Sequence, residues 1–198
     1  MLPGRNPETK EEGYTLIEVL LTIFIMGMIL LLVNVILISL IRVSYDTDAR
    51  MKVRQGVEFS LEVIRNNIKS ASPATIRLKN AGSDVVECTT THDNPQDCEL
   101  HMSLAEEGAE IVFSRIEEQG KGRLRATWTS SNQYINLTSL EDIDVKSVMF
   151  SSNRNDVTGT VEIIIIVQAD SSKLRSGGDP IVEDFYKQAT IITRGQEL

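Results

Sequence analysis

The sequence predicts an α+β chain: one long N-terminal α-helix followed by a β-rich globular head. Three observations predict it. Residues 19–41 carry no charge, and only Thr22, Asn34 and Ser39 among them are clearly polar. Beyond that run, Val53, Val57, Leu61, Ile64 and Ile68 recur at spacings of four and three, which is the apolar stripe of an amphipathic helix. From Ala74 the period changes to two, with Ile76 and Leu78 alternating against Thr75, Arg77 and Lys79.

These signals divide the chain into four parts. Residues 1–13 form a polar leader in which Pro3, Gly4 and Pro7 discourage helix. Residues 14–41 form the apolar half of the helix, and its 23 uncharged residues exceed the roughly 20 that span a bilayer core. Residues 42–72 continue it as an amphipathic half. There Phe59 and Val63 widen the stripe, Arg50, Lys52, Glu58, Glu62, Arg65 and Lys69 give it a polar surface, and Ser72-Pro73 ends it. At about 1.5 Å per residue the helix 14–70 is roughly 85 Å long.

Residues 73–198 form the head. The alternation predicts strands over 74–79, 84–89, 98–104, 109–116, 123–129, 134–137, 145–150, 160–168 and 189–193. Asn80-Ala81-Gly82-Ser83 and Gln119-Gly120-Lys121-Gly122 read as turns. Residues 90–97, with Pro95, read as a polar loop, and 171–180 as a loop around Gly177-Gly178. Ile163 to Val167, five β-branched residues in a row, reads as a buried central strand, and 189–193 closes the sheet.

The 198 residues suffice for one helix and one modest domain. The net charge is −8, from 20 basic and 28 acidic residues. The leader holds Arg5 and Lys10 against Glu8, Glu11 and Glu12, so the remainder has 18 basic and 25 acidic residues, a net of −7. An acidic surface with 5% aromatics argues against nucleic acid as a partner.

One charge marks the front of the apolar run. Glu18 is costly in lipid and implies a partner for its carboxylate. It closes the order Gly13-Tyr14-Thr15-Leu16-Ile17-Glu18, which resembles the class III signal of type IV prepilins and pseudopilins. The resemblance is dense to about Ile41 and includes Gly27. It implies that a prepilin peptidase cuts between Gly13 and Tyr14, that the new Tyr14 amine is methylated, and that Glu18 serves subunit docking. An amine and a carboxylate four residues on lie near one helical face, and in a fibre the amine of one subunit can neutralise the Glu18 of the next. The sequence departs from the family pattern at two points. Tyr14 stands where Phe is usual, and the Pro that many major pilins carry near Val35 is absent. A secretory signal peptide fits poorly, because its apolar region is only about 7–15 residues long.

Topology gives two opposed readings. Arg42, Arg50, Lys52 and Arg54 follow the span and only Arg5 and Lys10 precede it, so a positive-inside count puts the C-terminal part in the cytoplasm. The family resemblance puts the head outside, on a single-pass protein of the cytoplasmic membrane that later joins an extracellular or periplasmic filament. The head itself, from Ile111 to Gly195, is loosely similar in layout to J-type minor pseudopilins and W-type minor pilins. That similarity implies a long helix packed on an antiparallel sheet.

Cys88 and Cys98 are the only cysteines. In an exported domain two cysteines usually pair, so a disulfide is one reading and two free thiols another. Cys88, His92, Cys98 and His101 also offer a zinc set, yet Cys98 and His101 stand three apart on a strand and point to opposite faces. No glycine elbow surrounds a serine, and Gly120-Lys121-Gly122 lacks the spacing of a phosphate loop. Glu106-Glu107, Glu117-Glu118 and Glu141-Asp142 with Asp144 read as solvated turns in preference to acid–base or calcium sites. Asn136-Leu137-Thr138 fits a glycosylation sequon.

The reading is therefore a non-catalytic minor subunit of a type IV pilus with no cofactor or metal. Its expected partners are prepilin peptidase, other pilin or pseudopilin subunits, an inner-membrane assembly platform and membrane lipid. A minor pseudopilin of a type II secretion or DNA-uptake pseudopilus is the alternative. A binding domain on an uncleaved anchor and a surface enzyme are the readings from other classes.

Overall fold

The computed structural model describes residues 14–91, 97–104, 109–155, 157–174, 179–182 and 184–193. The leader, the loop holding His92 and Pro95, the Glu106-Glu107 pair and the Gly177-Gly178 loop lie outside the described residues.

Among the described residues one α-helix, α1 (Leu16–Ser70), precedes ten strands. Two compact units divide after Tyr45, the second running from Asp46. In that second unit α1 buries Ala49, Val53, Val57, Ser60, Leu61, Ile64 and Ile68, so the stripe read from the sequence is the one that packs. Phe59 corrects it: its side chain is 61% exposed. It stands two residues from Val57, which at 3.6 residues per turn is the opposite side of the helix. Val63 is only partly buried. Gly56 lets the helix come close to the sheet, because a Cβ there would run into Ile143 Cδ1. Ser60 fills the next turn and donates to the carbonyls of Gly56 and Leu137 at 2.7 and 3.1 Å.

After a short 3-10 turn (Pro73–Thr75) come β1 (Arg77–Asn80), β2 (Ser83–Val85), β3 (Glu87–Thr91), β4 (Cys98–Ser103), β5 (Glu110–Glu118) and β6 (Lys121–Trp128). Then follow β7 (Gln133–Asn136), β8 (Ile143–Asn155), β9 (Thr160–Ser171) and β10 (Phe185–Thr193). All pairings are antiparallel. They form a six-stranded sheet in the order β2-β1-β4-β5-β6-β7 and a four-stranded sheet in the order β10-β9-β8-β3. The α+β expectation thus holds, with two sheets in the head.

The stretch 84–89, read as one strand, is two. Ser83–Val85 pairs with β1 in the larger sheet, whereas Glu87–Thr91 pairs with β8 in the smaller one. Val86 is the corner, 69% exposed, with its carbonyl accepting the Ser152 N–H at 2.7 Å. Alternation specifies which face a residue takes, but not which sheet. The 119–122 turn shrinks to two residues, Gln119 and Gly120, with φ of 55° and 72°, as a tight hairpin of this twist requires.

Ile163 to Val167 is central in its sheet, as expected, but is not buried on both faces. Ile163, Ile165 and Val167 are fully buried, while Ile164 and Ile166 turn to the outer face and are only half-buried. An antiparallel sheet with one solvated face produces this alternation. The last strand begins at Phe185 and is the edge of the smaller sheet.

Candidate functional site

Tyr14 and Thr15 precede the helix, which begins at Leu16 instead of Tyr14. The Thr15 carbonyl accepts the N–H groups of Glu18 and Val19 at 3.0 and 3.2 Å and so starts the helical ladder. Glu18 therefore stands in the first turn, where the helix dipole favours a carboxylate. Gly13, on the other side of the expected cut, lies outside the described residues.

From Tyr14 to Tyr45 every residue is exposed. The most apolar stretch of α1 has a mean hydropathy of 2.9 and none of it is buried. Its polar side chains turn back on the helix: Thr22 Oγ1 donates to the Val19 carbonyl at 2.8 Å, and Asn34 Nδ2 to the Leu30 carbonyl at 2.9 Å. Such local bonding lets hydroxyl and amide groups sit in a bilayer at reduced cost.

This arrangement defines a class: an α+β chain whose head follows an apolar helix long enough to cross a membrane, with a carboxylate at the helix start. Residues 9–34 match the prokaryotic N-terminal methylation motif. The chain thus carries the class III signal peptide of a type IV pilin or pseudopilin. No curated protein and no solved structure matches the chain.

The head answers the remaining candidates. Cys88 and Cys98 form a disulfide with Cα atoms 5.6 Å apart. It joins β3 of the smaller sheet to β4 of the larger, a cross-sheet link that the spacing of the two residues does not reveal. The bond takes two of the four residues in the zinc set, and His92 is outside the described residues. His101 faces away from the cysteines. Its Nε2 and Nδ1 each lie 2.8 Å from a carboxylate, of Glu99 and Glu110. Among the described residues no three His, Cys, Asp or Glu side chains are grouped to hold a metal ion.

Among the described acidic residues, Glu118, Asp142 and Asp144 meet cations. Glu118 meets Arg123 at 2.9 Å and Arg125 at 3.7 Å. Asp142 meets Lys52 and Lys173, each at 3.5 Å, and Lys52 also meets Asp48 at 3.3 Å. The Asp48 carboxylate, first among its partners, raises the Lys52 pKa. Asp144 accepts the Gly122 N–H at 2.8 Å and pairs with Lys146. Burial raises the pKa of the nearby Asp170 carboxyl. In the sequon, Asn136 Oδ1 accepts from Arg125 Nε at 3.0 Å, and Leu137 and Thr138 are buried.

Sequence reasoning missed Arg115. It follows Ile111 and Phe113 on the inner side of β5, is buried, and donates through Nε to the Val145 carbonyl at 2.7 Å. Val145 begins a bulge in the β8–β9 pairing, so Arg115 ties the two sheets at an irregular point. Burial lowers its pKa. Gly122 makes room for it, since a Cβ there would run into the Val145 carbonyl and the guanidinium. The alternation Ile111, Phe113, Arg115 already puts the cation on the inner face; it does not give its partner, the Val145 carbonyl on another strand.

Proposed function

We propose that this chain is a non-catalytic minor subunit of a type IV pilus. It is inserted in the cytoplasmic membrane as a precursor, with the head outside. Prepilin peptidase cuts it between Gly13 and Tyr14, the Tyr14 amine is methylated, and the subunit enters a filament with other pilin subunits through the inner-membrane platform. The observation that carries this reading is the methylation motif over residues 9–34 with Glu18 in the first helical turn. The exposed apolar run supports it, since that surface needs lipid or neighbouring helices to cover it. Glu18 would neutralise the amine of a neighbouring subunit in the fibre.

The minor role rests on two features: the loose likeness of the head layout to J-type and W-type subunits, and the absence of a Pro near Val35. The same signal also serves secretion and DNA-uptake pseudopili, which form the second reading. Quantitative mass spectrometry of sheared filaments tests the proposal. A small fraction of this chain among other pilins supports it. If this chain dominates the filament mass, the minor role is wrong. Glu18→Ala should leave cleavage intact and lower incorporation, and normal incorporation would remove the docking role.

A further inference from the structure

The two sheets part at Val86, where β2 stays with β1 and β3 joins β8. A groove of about 560 Å³ opens there between β1 and β2 on one side and the ends of β8 and β9 on the other. That size suits a bound group of several residues or a small molecule. Its floor is apolar, formed by Ile76, Leu78 and Val161, which are themselves buried. Val86 lines it as well, as an exposed aliphatic side chain at the corner between the sheets. Five of the ten lining residues are polar, so the groove is not a simple apolar slot.

The charges of the lining do not cancel. Arg77 and Asp84 meet at 3.3 Å and neutralise each other. Arg154, which pairs across β8–β9 with Val161, is left over. Its Nη2 donates to the carbonyls of Pro73 and Ile76, each at 3.2 Å. These carbonyls fix the guanidinium in place without neutralising it. Among the described residues no carboxylate meets Arg154, and its Nε and Nη1 groups stay open to a ligand. Two cations against one anion give the lining a net charge of +1, in a chain whose total is −8. A guanidinium presents its donors as a planar fork that matches a carboxylate.

We propose that this groove binds an acidic, aliphatic peptide segment of another protein, with a carboxylate on Arg154 and a neighbouring aliphatic side chain over Leu78 and Val161. The fixed, uncompensated guanidinium beside an apolar floor selects those two groups together. A peptide suits the groove better than a free aliphatic acid. Its main chain can bond the polar half of the lining, Ser152 and Asn153 included, which an alkyl chain would strip of water without replacing the lost bonds. Val86 would then lie against the bound aliphatic group instead of in solvent. This inference uses the head alone and stands apart from the filament reading.

The test uses the full chain in detergent micelles and a fluorescent hexapeptide, capped at both ends, of valine and threonine around one central glutamate. Anisotropy should show saturable binding. Replacing the glutamate of the peptide by glutamine should weaken it about tenfold, the scale of one charge-assisted hydrogen bond. Arg154→Gln should bind both peptides weakly and alike. Because Arg154 also ties the 73–76 segment, a second variant, Val86→Asp, changes only the exposed corner. It should keep the fold and weaken the glutamate peptide more than the glutamine one. Equal affinity of the native chain for the two peptides, a glutamate preference that survives Arg154→Gln, or no binding at all would overturn the proposal. So would equal competition by isovalerate, which would give the groove to a free acid. A dimer of the chain alone that Val86→Asp dissolves would also overturn it, by giving the groove to a second copy.

Discussion

One helix contains two regions with opposite burial. From Leu16 to Tyr45 every residue of α1 is exposed, although this is the most apolar part of the chain. From Asp46 to Ser70 the helix is far more polar, yet it buries Val53, Val57, Ile64 and Ile68 completely. Apolar content therefore does not tell where the core of the head lies; apolar periodicity does. The first region is apolar all round and needs lipid or other helices as its surroundings. The second is apolar on one side and finds its surroundings in its own sheets.

The largest expected difference between the regions comes from removing a buried aliphatic side chain. Ile64→Ala should destabilise the head by about 2–5 kcal/mol, as large core truncations do. Ile29→Ala, with the same atoms removed from an exposed site, should leave the unfolding midpoint of the head unchanged. Denaturant unfolding of the full chain in micelles, followed by the single tryptophan, Trp128, measures both. A loss at Ile29 equal to that at Ile64 would break the comparison.

Next in size is the cross-sheet link. Replacing both Cys88 and Cys98 by serine should cost about 2–3 kcal/mol for so short a loop. The native thiols should resist alkylation unless a reductant is present. Labelling of either cysteine in the untreated protein would contradict the pairing.

Gly56→Ala should cost about 1–3 kcal/mol, because the added methyl meets Ile143 and the helix must back away. Gly27→Ala, with open space around it, should leave head stability unchanged. The pair tests close packing in the second region against its absence in the first.

The smallest effect is a pH dependence at the helix surface. The Lys187 ammonium, and after it Arg54, lowers the pKa of the exposed Glu58 carboxylate. A lowered carboxylate contributes stability that is present above its unfolded value of 4.5 and lost as the pH falls through the lower folded value. Lys187→Met should flatten this part of the stability curve between neutral and acid pH. An unchanged acid slope in the variant would remove the contact from the account.

Much of this organisation is legible in the linear sequence, for physical reasons that differ by element. The helical stripe was readable because its spacing is set by helix geometry alone. The motif around Gly13 and Glu18 was readable because its residues are contiguous. Phe59 misleads because apolar character alone carries no angular position on the helix. Val86 hid the division into two sheets because strand pairing is non-local, and both halves of the broken strand alternate equally well. The partner of Arg115 was hidden for the same reason: it depends on which strand lies alongside.

The central claim is that the exposed apolar region begins at a processed terminus, and mass analysis of the N-terminal peptide from membrane-extracted protein tests it most directly. The account predicts a chain that starts at Tyr14 with a methylated amine, and a Gly13→Ala variant that stays uncut. A population made up only of uncut chains that still carry the leader would contradict it.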